Sequence, residues 1–131
     1  MSFLIDTHVF LWFDSRSTRL SEPALGLIRR AGEPVYVSAA SFWEIAIKRR
    51  AGKLLYDGSP RTAASDAGFL ELDIDAADAE TAGALDWDHR DPFDRMLLAQ
   101  CLNRGLTLIT ADARFEARND IAVLRAGRGA R

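Results

Sequence analysis

Four acidic residues occupy positions from which a carboxylate could take part in chemistry. They follow short apolar runs or fall on the apolar side of a predicted helix, and they are Asp6, Glu44, Asp94 and Asp112. The runs 3–5 and 106–109 have the length and composition of buried parallel strands. Because open parallel sheets bind ligands beyond the carboxyl ends of their strands, Asp6 and Asp112 are candidates for a site at that edge. Each of them could instead cap the helix that follows it.

Asp94 is predicted to lie on the core-facing side of a helix. A residue before proline avoids the helical region, proline suits the first helical turn and Asp is a favourable N-cap, so Asp91-Pro92 predicts a helix start. The helix should run from there toward Gly105. At about 100° per residue Asp94 falls beside Leu97, on the apolar arc, where a carboxylate is costly unless it is paired or binds a metal. The alternative is a capping box between Asp94 and Asp91.

Glu44 belongs to a second predicted helix, which Ser38 caps and which runs from Ala39 to about Arg50. Three interpretations of Glu44 are open. It could pair with Lys48 at i,i+4 on a solvated face, or it could form a capping box with Ser41. It could also join the other acids in a common site.

Several carboxylates brought together repel one another, and this repulsion points to a cation. A pair of like charges about 4 Å apart costs roughly 1 to 4 kcal/mol, depending on the local dielectric. A folded protein tolerates several such pairs only with cations beside them. Anionic sites made of oxygen ligands suit magnesium or manganese, and these ions suit phosphate chemistry.

The elements that must position these acids alternate between strand and helix. The predicted strands are 3–5, 35–37, 70–74, 106–109 and 121–124, with helices between them. This alternation predicts a parallel sheet with helices on both faces, in a single domain spanning residues 1–131. The Gly- and Arg-rich segment from Arg125 to Arg131 is predicted to be a frayed tail.

Composition restricts the class of protein. The chain has 131 residues, 48% of them hydrophobic and 27% charged, which is typical of a globular domain. A formal charge of −2 gives no global positive field, so binding to nucleic acid must depend on local basic patches. A single cysteine, Cys101, excludes an internal disulfide and suits a reducing compartment. Neither a signal peptide nor a bilayer-spanning stretch is visible, which favours a cytoplasmic protein without a membrane role.

The remaining chemical groups do not form a second motif. His8 and His89 lack Cys or His partners at ligand spacing, so they do not indicate a zinc site. No Gly-x-Ser-x-Gly elbow and no Gly-rich phosphate loop is present. Basic side chains that could bind phosphates, or simply form a solvated helix end, are Lys48, Arg49, Arg50, Lys53 and Arg95. Among the tryptophans that could stack on RNA bases, Trp43 fits a core or interface position better, and Trp87, in a loop near the predicted site, is the better stacking candidate.

The acids, in their order along the chain, resemble those of the PIN-domain ribonucleases, and within them the VapC-like toxins of bacterial toxin–antitoxin pairs. The resemblance covers nearly the whole chain. It is carried by four segments, of which the third is the most specific: Leu4 to His8, Ser41 to Lys48, His89 to Gln100, and Leu108 to Asp112 with Phe115. The family's acidic quartet falls on Asp6, Glu44, Asp94 and Asp112, and Asp91 is a cap, a support or a further ligand.

The resemblance implies a three-layer α/β/α fold with a central parallel sheet and a magnesium- or manganese-dependent endoribonuclease. The quartet would hold the metal or its waters, and a metal-activated water would attack an RNA phosphodiester. A homodimer and an inhibiting antitoxin protein are also implied. Two alternatives stay open: a non-catalytic PIN-like module that binds RNA or protein, and a metal-dependent phosphatase on a similar sheet.

Overall fold

One parallel sheet lies at the centre of the computed structural model, which describes residues 1–30 and 32–127. Within those residues the sheet has five strands in the order β3-β2-β1-β4-β5, and every neighbouring pair is parallel. The strands are β1 (Phe3–Ile5), β2 (Val35–Ser38), β3 (Leu70–Leu72), β4 (Thr107–Thr110) and β5 (Val123–Arg125).

Helices connect the strands and cover both faces of the sheet, which confirms the predicted three-layer α/β/α architecture. Their bounds are α1 (Thr7–Asp14), α2 (Glu22–Arg29), α3 (Ala39–Arg50), α4 (Pro60–Asp66), α5 (Ala76–Ala84), α6 (Pro92–Arg104) and α7 (Ala113–Glu116). No helix within residues 1–30 and 32–127 combines the length and the apolar character that crossing a bilayer requires.

The central strand β1 divides the apolar core in two, because successive side chains of a strand point to opposite faces. Phe3 and Ile5 pack into a core with residues of α1, α2 and α4 and with Ile45 of α3. Leu4 packs on the other face with residues of α6 and with Phe115 of α7. All three side chains of β1 are buried, so an apolar run without alternation is what the strand requires.

The order of the strands places a crevice above β1. The chain passes from β1 to β2 on one side and reaches β4 on the other, so the connections leave β1 and β4 in opposite directions. Such a reversal opens a crevice at the carboxyl ends of the two strands, where ligands of open α/β sheets bind. Asp6 follows β1 directly, and Asp112 lies two residues beyond β4.

The predicted starts of α3 and α6 agree with the structure, and strand β3 is shorter than predicted. Asp91 caps α6 and Gly105 ends it in a left-handed conformation with φ 64°, which glycine adopts without strain. Ser38 caps α3. Strand β3 ends at Leu72, two residues before the predicted end, because the chain turns there to reach the cap of α5 at Asp75.

The predicted frayed tail is ordered in its first three residues. Arg125 is the last residue of β5, Ala126 is fully buried, and Gly127 bridges to Leu20. The Ala126 amide donates a hydrogen bond to the Thr110 carbonyl at 2.8 Å, so pairing with the sheet continues past the strand. The rest of the predicted tail, residues 128–131, lies outside the described residues.

Candidate active site

A single hollow at the carboxyl edge of the sheet brings the four predicted acids together. We call it the acid hollow; its volume is about 240 Å³. Acidic, basic and polar side chains line it, and they are Asp6, Thr7, His8, Glu44, Lys48, Asp91, Asp94, Asp112 and Arg114. Besides the predicted acids, the lining includes a fifth carboxylate, Asp91, and two cations. Lys48 was a candidate phosphate-binding side chain, whereas Arg114 was not singled out from the sequence.

Asp6 is both a helix cap and a wall of the acid hollow. Its Oδ1 accepts a hydrogen bond from the Val9 amide at 2.8 Å, and its Oδ2 accepts one from the Thr110 hydroxyl. The residue is 6% exposed. Burial raises the pKa of Asp6 to about 6, although the hydrogen bonds from Thr110 and Val9 oppose that rise. The carboxylate is therefore held in a place where its negative charge is poorly solvated.

Glu44 is buried, so it does not lie on the solvated face that one of its predicted interpretations requires. It lies in α3, is 6% exposed, and its Oε2 accepts a hydrogen bond from Lys48 Nζ at 2.7 Å. The predicted i,i+4 pair is present, but the glutamate faces the acid hollow instead of solvent. The capping box with Ser41 is wrong, because α3 begins three residues earlier, at the cap Ser38. Ser41 is instead buried and accepts a hydrogen bond from the Thr7 hydroxyl at 2.9 Å.

Asp91 and Asp94 share the first turn of α6 but have different partners. Asp91 Oδ1 accepts hydrogen bonds from the amides of Phe93 at 2.9 Å and of Asp94 at 3.2 Å, so Asp91 is the cap. Asp94 does not return a bond to Asp91 as a capping box would; its Oδ2 lies 2.6 Å from Nε2 of His89. Burial raises the pKa of Asp94, and the bond with His89 opposes the rise.

His89 links two of the acids through a chain of hydrogen bonds. Arg114 Nη1 lies 3.2 Å from Nδ1 of His89. A guanidinium has only donors, so Nδ1 must accept, and the ring proton must then be on Nε2, which donates to Asp94. Within the described residues, His89, Asp91 and Asp94 are the one group whose potential metal-binding atoms all lie within 4.8 Å of one another. Asp91 and Asp94 share the acid hollow with Asp6, Glu44 and Asp112, which belong to no such close group among the described residues.

Asp112 closes the side of the acid hollow toward β4. It caps α7 through a hydrogen bond from the Arg114 amide to Oδ1 at 2.9 Å, and the Arg114 guanidinium bonds to both of its oxygens. The bond from Arg114 lowers the pKa of Asp112. The predicted cap and the predicted site residue are therefore the same side chain, here paired with a cation whose side chain is 58% exposed.

Two of the side chains considered for RNA binding have other partners. Arg95 donates hydrogen bonds to the carbonyls of Ala82, Leu85, Trp87 and His89, at 2.7 to 3.1 Å. It thereby fastens the loop that carries His89. The Trp87 ring packs on Phe115 and lies beneath the guanidinium of Arg118, 5.4 Å from the ring centroid. Arg95 and Trp87 therefore support the loop and are poorly placed to contact RNA.

The contacts that His89 and Arg114 make with the acids were not predicted from the sequence. His89 lies five residues before Asp94, outside any metal-ligand spacing, and only the folded loop brings the two side chains together. Arg114 follows the predicted cap Asp112 by two residues. At this spacing, in the first turn of a helix, its side chain can reach the carboxylate of the cap, and this was the one signal in the sequence.

The acid hollow fits a divalent cation. Five carboxylates line it, and two of them, Asp6 and Asp94, have raised pKa values because burial leaves their charge uncompensated. Oxygen-rich anionic sites of this kind prefer magnesium or manganese. The N-termini of α1 and α6 also end at the hollow, since Asp6 and Asp91 are their caps, and their dipoles stabilise the carboxylates there.

Comparison with known proteins identifies the class. Residues 3–120 match the PIN domain, and this chain therefore belongs to the PIN domain family, as the resemblance predicted. Among curated proteins, none matches the sequence of this chain.

Solved structures with similar folds come from toxin–antitoxin systems. VapBC2 from Rickettsia felis, bound to a promoter DNA fragment, is 12% identical with a TM-score of 0.68, covering 96% of this chain and 99% of that chain. DNA-bound VapBC from Salmonella typhimurium is 19% identical with a TM-score of 0.64, covering 95% and 98%. VapBC-5 from Mycobacterium tuberculosis is 16% identical with a TM-score of 0.60, covering 95% and 98%. At these identities the likeness concerns the fold.

Proposed function

We propose that this chain is a magnesium- or manganese-dependent endoribonuclease and the toxin of a toxin–antitoxin pair. One observation carries the proposal: the acids Asp6, Glu44, Asp94 and Asp112, chosen from the sequence, line one hollow at the carboxyl edge of the sheet. Membership of the PIN domain family supports it. A module that only binds RNA has no need of converging, poorly solvated carboxylates, which repel a phosphate backbone unless a cation intervenes.

The residues that would hold the cation are Asp6, Glu44, Asp94 and Asp112, and Asp91 is placed to assist them. When bound, a divalent metal lowers the pKa of a coordinated water and neutralises negative charge that develops on a phosphoryl group. Protein hydrogen bonds fix the carboxylates for this task. Asp6 is held by the Val9 amide and the Thr110 hydroxyl, and Asp94 by the Nε2 proton of His89.

Two basic side chains of the acid hollow would exchange their carboxylate partners for phosphates of the bound RNA. Lys48 pairs with Glu44 at 2.7 Å and Arg114 with Asp112 at 2.8 Å. Both lysine and arginine bind phosphate oxygens well. With the carboxylates neutralised by a bound divalent ion, these side chains would be available to the phosphates that flank the cleaved bond.

The proposal includes an inhibiting partner, a homodimer and a cytoplasmic location. The similar structures from Rickettsia felis and Salmonella typhimurium are VapBC proteins bound to DNA, and VapBC-5 from Mycobacterium tuberculosis is a member of the VapBC family of toxin–antitoxin systems. An antitoxin arginine entering the acid hollow would make charge-assisted bonds with the carboxylates and exclude the metal. Beside the hollow, Trp43 and Ile47 are 59% and 44% exposed, which gives a protein partner apolar surface. Pull-down from the native host should recover a small protein encoded beside this chain, and light scattering should report a dimer.

Cleavage by conservative variants tests the central assignment. We expect Asp6→Asn, Glu44→Gln and Asp94→Asn each to lower the rate of RNA cleavage at least about a hundredfold, or roughly 2.7 kcal/mol. Their melting temperatures should stay near or above that of the parent chain, because amides keep the shape and can still cap a helix. Asp91→Asn, which keeps the cap of α6, should cost much less activity.

The measurement is cleavage of total RNA by purified, partner-free protein, with magnesium or with chelator, followed by mapping of the new ends. Near-parental cleavage by any of the three variants, measured on folded protein, would remove that residue from the site. If the parent chain binds RNA but does not cleave it with either metal, the non-catalytic alternative replaces the proposal. Hydrolysis of phosphomonoesters without RNA cleavage would favour the phosphatase.

A further inference from the structure

A second hollow adjoins the acid hollow. We call it the side hollow; its volume is about 420 Å³. Four of its lining residues also line the acid hollow, namely Asp6, His8, Asp112 and Arg114. Its other walls are formed by Trp12, Arg19, Ala111 and Ala113. The side hollow therefore offers space next to the acid hollow for the neighbouring part of a chain molecule that has one phosphate in the acid hollow.

An aromatic ring forms one wall of the side hollow and is held in place. Trp12 lies in α1, is half-buried, and packs against the core that covers that face of the sheet. Its ring centroid is 6.3 Å from that of His8, with the planes tilted by 48°. A ring fixed in this way stacks on a base at low entropic cost, and every base offers an aromatic face.

Positive charge lies beside that ring. Arg19 is exposed, and its guanidinium has no hydrogen bond or ion pair with any residue in the described part of the chain. This separates it from other arginines near the site, since Arg114 is paired with Asp112 and Arg118 with Asp120. Ala111 and Ala113 also line the side hollow, and their short side chains take up little of its space.

We propose that the side hollow binds the nucleotide next to the cleaved phosphate of a single-stranded RNA, with its base on Trp12 and its phosphate against Arg19. The inference rests on the proposed function. A fixed aromatic ring combined with an unpaired cation is the combination that holds single strands without reading their sequence. A separate apolar groove contains the exposed Trp43 together with Phe93 and Arg95. There the Trp43 ring makes an edge contact with Phe93, with ring centroids 5.2 Å apart, and Arg95 is already bonded to backbone carbonyls.

RNA binding without turnover tests the side hollow. In a Glu44→Gln background with magnesium, fluorescence anisotropy of a labelled single-stranded RNA oligonucleotide gives the dissociation constant. Trp12→Leu should weaken binding about tenfold, and Trp12→Phe should stay within threefold of the background because the ring is kept. Arg19→Gln should weaken binding and reduce the salt dependence by about one phosphate contact, whereas Arg19→Lys should restore both.

Matched controls separate stacking from general loss of charge or stability. Trp43→Leu removes a more exposed tryptophan, and Arg29→Gln removes an exposed arginine that lines neither hollow; both should leave the dissociation constant within twofold. In a series of oligonucleotides, each with one abasic site at a different position, a single member should bind the background protein more weakly than the others. At that position Trp12→Leu should add no further loss.

Unchanged binding by both Trp12→Leu and Arg19→Gln would overturn the side-hollow proposal, even where the parent chain cleaves RNA. The proposal would also be overturned if these variants still bind RNA but no longer recover, in the pull-down, the small protein encoded beside this chain. That result would assign the side hollow to a segment of the partner protein. Failure of the parent chain to cleave RNA would refute the proposed function instead, because the anisotropy experiment does not depend on turnover.

Discussion

Neutralising Asp6 should stabilise the metal-free protein, and the gain should appear as the pH rises through about 4 to 6.5. Asp6 is 6% exposed, and burial raises the pKa of Asp6 from 3.8 to about 6. An acid whose pKa is raised by folding keeps its proton in the folded state at pH values where the unfolded chain has lost it. The folded state then binds more protons, so the free energy of unfolding falls as the pH increases.

The size of the effect follows from the shift in the pKa. About two pKa units at 1.36 kcal/mol each correspond to roughly 3 kcal/mol of lost stability above pH 6.5. Asn at this position can still accept from the Val9 amide. Thr110 Oγ1, which already accepts from the Asp112 amide at 3.0 Å, can also accept from the Asn side chain, since a hydroxyl has two acceptor sites. Asp6→Asn should therefore keep both contacts and recover about 1 to 3 kcal/mol at pH 7.5.

The assay is urea unfolding of the parent chain and of Asp6→Asn from pH 4 to pH 8, with chelator present. The two free energies of unfolding should converge near pH 4 and separate as the pH increases. Asp75→Asn is a matched control, because Asp75 also caps a helix but lies outside the acid hollow; it should give no gain. Magnesium should raise the stability of the parent by binding the folded state and should have little effect on Asp6→Asn. Parallel pH profiles for parent and variant would refute the reasoning.

Two further substitutions test the groups around the acids. Lys48→Met removes the cation that pairs with the buried Glu44. In thermal unfolding with chelator the free energy of unfolding should fall by about 1 to 2 kcal/mol, whereas the affinity for manganese, measured by calorimetry, should increase severalfold. Unchanged manganese affinity would show that Lys48 does not compete with the ion. The Arg95 guanidinium makes four hydrogen bonds to backbone carbonyls, and a lysine ammonium can make at most three. For Arg95→Lys, urea unfolding should therefore report a free energy of unfolding lower by about 1 to 3 kcal/mol. A decrease smaller than the error of the assay would mean that water replaces the guanidinium.

Much of the fold could be predicted because local chemistry and tertiary structure agree. Asp91-Pro92 and Gly105 define the ends of α6 in sequence, and the structure ends the helix at the same residues. Helix ends are predictable where a cap and a breaker act through neighbouring atoms. The end of β3 was not predictable, because the alternation from Leu70 to Ile74 continues in the sequence after pairing with β2 has stopped at Leu72.

The positions of three acids of the candidate site were predictable from local pattern, whereas the place of Glu44 and the partners of the acids were not. Asp6 and Asp112 were found because strand ends fix where they lie relative to the sheet, and Asp94 because helical periodicity fixes its face. The contact of His89 with Asp94 depends on a loop held by Arg95, and the contact of Thr110 with Asp6 joins residues 104 apart in sequence. Contacts of this kind are set by tertiary packing, which no local pattern contains.

Capping and metal binding, which the sequence offered as alternatives, can be carried by different oxygens of one carboxylate. Asp91 Oδ1 accepts both amide hydrogen bonds at the start of α6, and among the described residues its Oδ2 has no partner. Glu44 and Asp94 likewise each use one oxygen for Lys48 or His89. Helix N-termini favour negative charge, so caps bring carboxylates to the place where a cation is needed. For that reason asparagine and glutamine, which keep the acceptor and remove the charge, separate the two roles, whereas alanine removes both at once.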